Sequence, residues 1–170
     1  SQDFSAKFEE DFIKKLTSAV KKFEKSSNEA GEDSIQVFKD YRGIVLRVNG
    51  NYIFDTGSYI IKPTAWPLLD EIFLTFSKTK DVELYIEAHT DSTPINSKEI
   101  PTNWELSALR SISIVRYYVE SSNGQGEFLH GVGRGDSIPL FPNNSDLNKM
   151  RNRRVEFIFT QNKNKSKISQ

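Results

Sequence analysis

The 170-residue chain balances 23 Lys+Arg against 23 Asp+Glu, which argues against a nucleic-acid binder, since those usually show a basic excess or stripe. Apolar residues make up 36%, with twelve Phe, six Tyr and two Trp, enough for one ordinary domain with a real core. The absence of Cys excludes disulfides, thiolate metal sites and a Cys nucleophile, and no run approaches the roughly 18 apolar residues of a membrane span. The opening SQDFSAKFEE has neither an initiator Met nor a signal-peptide pattern, as expected of a fragment of something longer.

Phe4, Phe8, Phe12, Leu16 and Val20 recur every four residues, with Ile13, Ala19 and Phe23 beside them and Lys and Glu between. This predicts an amphipathic helix of roughly five to six turns. The polar SSNEAGED segment then reads as linker or turn, so residues 1–33 form a helical arm and linker. The helix either packs on its own domain or acts as a mobile arm or dimerisation element. Next, Ile35 and Val37 alternate with polar residues, and Ile44 to Val48 is β-branched and apolar. Asn49-Gly50-Asn51 predicts a tight turn leading into Tyr52-Ile53-Phe54 and closing a hairpin.

Lys62-Pro63-Thr64 opens a helix, with Pro tolerated in its first turn, and Trp66, Leu69, Ile72, Phe73 and Phe76 are its predicted buried stripe. Val82 to Ala88 alternates with period two and predicts a strand. Thr102-x-x-Glu105, after Pro101, is a capping box. Ala108, Ile112, Val115 and Val119 give that helix its predicted apolar stripe, and Asn123-Gly124 ends it. Phe128 to Val132 is a short strand before the glycine-rich GVGRGD, and Val155, Phe157 and Phe159 alternate in a last strand. The tail QNKNKSKISQ, residues 161–170, has the composition of a disordered segment. Alternating strands and helices imply an α/β fold, a sheet with helices packed on one face.

Candidate chemistry concentrates in AHTDSTPINSKEIPTNWELSALR, residues 88–110. Asp91 stands just past a strand end and Arg110 in the early turns of the capped helix. Such a pair can grip a small zwitterion, the carboxylate taking an ammonium and the guanidinium forking a carboxylate. An Asp after a strand also commonly caps a turn, and that reading stays open. Neither group is a nucleophile or a ready proton carrier at neutral pH, so the pattern points to binding without chemistry, not to an enzyme. Asn103, Ser107 and Arg110 fall at i, i+4 and i+7 on one face, taken here to lie off the apolar stripe. Alternation puts Arg153 on the core side with Val155 and Phe157, where it needs Asp55, Asp91 or a ligand carboxylate as partner. Arg154 then points the other way, toward solvent. His89, Asp91 and Asp55 lack the spacing of a metal site, and no nucleophile elbow or phosphate-loop ending occurs, so neither metal nor cofactor is expected.

Five blocks occur in one order: FDTGSYIIKPTA (Phe54 to Ala65), IEAHTDSTPI (Ile86 to Ile95), NWELSALRS (Asn103 to Ser111), GVGRGDSIPL (Gly131 to Leu140) and NRRVEF (Asn152 to Phe157). Together they resemble the OmpA-like peptidoglycan-binding domain, over roughly residues 43–160, within a domain placed at residues 34–160. The long loop between the HTD and LS-x-x-R blocks looks most like the periplasmic part of MotB-type flagellar stator proteins. Ala88 stands where the family more often has Gly, and Ser111 where it more often has Ala.

The resemblance implies a sandwich of mixed sheet and helices that anchors a stator subunit to the cell wall without covalent chemistry. Asp91 would meet the ammonium of a stem-peptide diamino acid and Arg110 its carboxylate, with Asp55, Thr93, Asn103 and Arg153 as support. It further implies a homodimer, an ion-channel partner subunit, and a periplasmic position tethered to the inner membrane by a helix outside this sequence. A cell-wall anchor unrelated to motility, in an outer-membrane lipoprotein or a secretion system, is the alternative.

Overall fold

Residues 4–26, 34–122, 124 and 126–164 are described by a computed structural model. Most of the SSNEAGED linker, Asn123 and residues 165–170 of the tail lie outside the described residues. Five strands form one sheet in the order β1-β2-β5-β3-β4. They are β1 (Ile35–Asp40), β2 (Gly43–Asn49), β3 (Val82–His89), β4 (Leu129–Gly133) and β5 (Arg154–Gln161). Only β3 and β4 pair in parallel, through the long crossover that carries helix α4 (Asn103–Ser122); the other pairs are antiparallel.

Period-two alternation decides the faces. Ile44, Leu46 and Val48 of β2, Val155, Phe157 and Phe159 of β5, and Val82, Leu84, Ile86 and Ala88 of β3 all point into one core. Helices α1 (Ala6–Val20), α3 (Trp66–Ser77) and α4 bury their apolar residues in that same core, so the molecule is a mixed sheet with helices on one face, as the sequence implied.

Helix α1 packs on its own domain. Phe12, Leu16 and Val20 are buried in the shared core, and Phe12 meets Phe159 edge-on with ring centroids 5.0 Å apart. Ser5 caps the helix, accepting from the Phe8 N–H at 3.2 Å. Lys22–Glu71 (2.8 Å) ties the segment after α1 to α3, and Glu9–Lys39 (2.6 Å) ties α1 to β1. Surface pairs of this kind add at most about 1 kcal/mol each, so the buried apolar stripe does most of the holding.

Several local expectations change. The hairpin turns at Tyr41-Arg42, between the paired Asp40 and Gly43, and the Arg42 N–H donates to Asp40 Oδ1 at 2.8 Å. Asn49-Gly50 does not close a hairpin. Asn49 accepts from the Asn51 N–H and caps a single helical turn, α2 (Gly50–Ile53), after which Phe54 bridges to Ile61. Asn favours both structures, because its side chain satisfies a nearby backbone N–H in either. In α3, Trp66 is 45% exposed and stacks on Tyr117, while Leu68 takes the buried place.

The capping box of α4 forms, with Glu105 Oε2 accepting from the Thr102 N–H at 2.9 Å and Thr102 Oγ1 from the Trp104 N–H at 3.1 Å. The buried face of α4 is not the predicted stripe. It consists of Leu106, Ser107, Arg110, Ser111, Ile114 and Tyr118, whereas Ala108, Ile112 and Val119 are exposed. Small residues decide this. Ser107 and Ser111 let the helix settle against Gly131 and Gly133 of β4, where a β-carbon would collide with α4.

Arg154 is the largest correction. It is 2% exposed, on the sheet face away from the helices, donating to the carbonyls of Asn152 (3.1 Å) and Ile138 (2.9 Å). The loop between β4 and α5 (Asp146–Asn152) supplies the Ile138 carbonyl and the end of α5 supplies that of Asn152, a covering of the start of β5 that strand alternation does not reveal.

Candidate functional site

The C-terminal ends of β3 and β4 and the start of β5 meet at one end of the sheet, with the first half of α4 and the loop after α2 beside them. Strand ends carry loops, and loops at one end of a rigid sheet are where binding groups gather. Thr90 donates its N–H to the Gly135 carbonyl at 2.9 Å, and the Gly135 N–H donates to Ser107 Oγ at 2.8 Å, which locks β3, β4 and α4 together there.

Asp91 sits in this mouth, 6% exposed. The Thr93 N–H donates to its Oδ1 at 2.7 Å, the turn expected of an Asp past a strand, and the Arg153 guanidinium pairs with its Oδ2. Asn103 Nδ2 donates to the carbonyls of Asp91 (3.2 Å) and Thr93 (3.0 Å), holding the loop's backbone. Burial pushes the Asp91 carboxyl up, but Arg153 and Thr93 outweigh it and the net pKa falls below its ordinary value.

Arg110 is 5% exposed and fixed on three sides. Its Nε donates to the Ser58 carbonyl at 2.7 Å, its Nη2 to the Asp55 carbonyl at 3.1 Å, and its guanidinium lies 5.0 Å from the Phe54 ring centroid. Nη1 donates to nothing among the described residues. Burial and the neighbouring Arg153 lower its pKa to about 10, partly offset by Asp91, and it remains a cation at neutral pH.

Four of the six sequence-predicted residues, Asp91, Thr93, Asn103 and Arg153, are joined by hydrogen bonds or an ion pair, and Arg110, the fifth, is coupled to Asp91 and Arg153 through their charges. The sixth, Asp55, contributes its carbonyl to Arg110, while its carboxylate is 79% exposed and stands 4.0 Å from Lys62 Nζ. Asp91 is paired with Arg153, so of the three partners open to that arginine the structure supplies Asp91 and not Asp55. Asn103, Ser107 and Arg110 do share a face, and it is the packed one.

Sequence reasoning missed Asn152. Fully buried, it accepts from the N–H groups of Leu140 (2.8 Å) and Phe141 (3.0 Å) and donates to the Phe141 carbonyl (2.8 Å) and Asn143 Oδ1 (2.9 Å). Asn143 Oδ1 also accepts from the Ser92 N–H at 3.3 Å, so Asn152 positions the loop beside Asp91. An Asn before a basic pair was the signal available, and it carries no direction by itself.

His89 does not join Asp91. It turns to the other face of the sheet, where His89, Glu87 and Glu156 offer ligand atoms within 4.8 Å of one another. Arg42, Arg47 and Arg134 pair with these carboxylates at 2.8–3.5 Å, and Arg154 Nε stands 3.6 Å from Glu156. Four guanidiniums around two carboxylates repel a further cation, which makes this an internal ion-pair network. His89 and Arg134 hold the Glu87 carboxyl at about 2 against burial, and burial of Glu156 is likewise outweighed by His89 and its arginines.

Two guanidiniums and a carboxylate gathered in a mouth at one end of the sheet are groups that can pair with a small charged molecule. The chain belongs to the OmpA family, which residues 53–153 match. It is similar to the protein YtxE of Bacillus subtilis, 32% identical over 128 residues, 75% of this chain and 52% of that one. Motility protein B of the same organism is 25% identical over 146 residues, 86% of this chain and 55% of that one. The chain spans about half the length of the curated relatives it matches. Among solved structures, a MotB-like protein from Desulfovibrio vulgaris superposes with a TM-score of 0.70 at 30% identity, covering 91% of this chain and 96% of that one.

Proposed function

We propose that this domain binds the stem peptide of peptidoglycan without covalent chemistry and thereby anchors a flagellar stator subunit to the cell wall. The observation that carries the reading is the mouth itself: Asp91 and Arg110 nearly buried at one end of the sheet, with Arg153 paired to Asp91 and Nη1 of Arg110 donating to nothing among the described residues. An ammonium and a carboxylate on one small group match these charges. Each charge-assisted bond contributes about 1.5–3 kcal/mol, so single-site binding is weak and several copies acting together supply the hold.

Similarity to motility protein B and to a MotB-like structure supports the motor assignment. A periplasmic location, a homodimer, and an ion-channel partner reached through a membrane helix complete the same proposal. No helix among the described residues is long and apolar enough to cross a membrane. The site holds Arg110 by two carbonyls and the Phe54 ring and Arg153 by the Asp91 carboxylate, an arrangement of fixed charges suited to binding. Co-sedimentation with purified cell-wall sacculi tests the core of the reading. The wild-type protein pellets with the wall and Arg110→Lys does not; equal pelleting of both overturns it. Loss of swimming on deletion of the gene separates the stator role from a wall anchor unrelated to motility.

A further inference from the structure

Asp91 is already occupied. Its two oxygens are taken by the Thr93 N–H and by the Arg153 guanidinium, and little of the residue reaches solvent. The two arginines of the mouth are not equivalent. Arg110 is locked by two carbonyls and the Phe54 ring. Arg153 has a fixed backbone, its carbonyl accepting from the Gly50 N–H at 2.7 Å and its N–H donating to Lys149 at 3.1 Å. Its side chain is 28% exposed, and among the described residues its guanidinium pairs with Asp91 alone. One cation is held by backbone and ring, the other by a single carboxylate.

With the Asp55 carboxylate exposed and near Lys62, the charged groups placed in the mouth above, among the described residues, are two guanidiniums and one carboxylate, a net positive charge. A bare amine entering here adds a third cation to one anion. A group carrying ammonium and carboxylate together adds none.

We propose that Arg153 is an internal surrogate for the ligand's ammonium and so sets the specificity of the site. Resting on the wall-binding reading above, this means that a ligand ammonium reaches Asp91 only by displacing Arg153. The displaced guanidinium then takes the ligand's carboxylate together with Arg110. The site accordingly selects a diamino-acid end whose carboxylate is free and ionised, and rejects the same end when that carboxylate is amidated or missing.

The test is titration calorimetry with 2,6-diaminopimelate, its monoamide, and pentane-1,5-diamine, which keeps the amine spacing without carboxylates. The wild-type protein binds diaminopimelate, the monoamide more weakly, and the diamine not measurably. In Arg153→Gln the competitor is gone, so the diamine gains affinity while diaminopimelate loses it, and the preference between them shrinks by about tenfold or more. Arg153→Lys, which keeps the charge, retains the wild-type order of preference, and circular dichroism confirms that both variants are folded. An equal fall for every probe in Arg153→Gln, or no change in the ratio, overturns the surrogate role while leaving wall binding by the wild type intact. Failure of the wild type to bind either sacculi or diaminopimelate overturns both this proposal and the reading beneath it.

Discussion

Gly133 of β4 lies so close to Ala108 of α4 that a β-carbon at Gly133 would run into the Ala108 backbone and Ser107 Oγ. That approach sets the height of α4 above the sheet, and with it the reach of Ser107 to Gly135 and of Arg110 to the loop after α2. Gly133→Ala must lift the helix or shift the strand. The expected cost is about 1–3 kcal/mol, read as a lower urea midpoint, together with weaker wall binding. An unchanged midpoint would show that the contact is loose.

Leu16→Ala tests how firmly α1 belongs to the domain. A fully buried Leu in a shared core loses about 2–5 kcal/mol on truncation, depending on how far the site collapses. A change below about 0.5 kcal/mol in chemical denaturation would mean that α1 rests on the surface and detaches readily.

Arg110→Ala removes the donors from the Ser58 and Asp55 carbonyls and the cation from the face of Phe54. A loss of about 1–3 kcal/mol of stability is expected alongside the loss of sacculus binding. Arg110→Lys keeps a charge but not the fork, so binding should fall with a smaller stability change. Denaturation curves measured beside the pelleting assay separate the two effects.

Glu87 gives a pH dependence with a definite sign. Its carboxyl drops from an ordinary value of 4.5 to about 2 in the folded protein, so its contribution is complete above the unfolded value. That contribution disappears as pH falls from about 4.5 toward about 2, and it is on the order of 3 kcal/mol. Glu87→Gln should therefore be much less stable than wild type at pH 6, and the gap should close as pH approaches 2. Parallel curves across that range would remove Glu87 from the acid response.

Short-range signals in the chain were enough for the strands and the capped helix. Val82 to Ala88 alternates because one side faces the core, and the structure extends that strand only to His89. Thr102 and Glu105 satisfy each other's turn within four residues, so no distant partner is needed. The Asn-Gly turn failed for the same local reason, since a cap and a hairpin use the same side chain.

The sequence by itself determined which residues could face inward and where charge sat beside a strand end, because period and capping are local chemistry. Tertiary structure alone decided which of two stripes on α4 is buried, because the glycines of β4 that admit the helix lie across a crossover from it. It also decided that Arg154 is covered, by a loop that alternation cannot see, and that Arg153 closes on Asp91. Those partners come from opposite parts of the chain, and only the antiparallel register of β3 with β5 brings the two strand ends together.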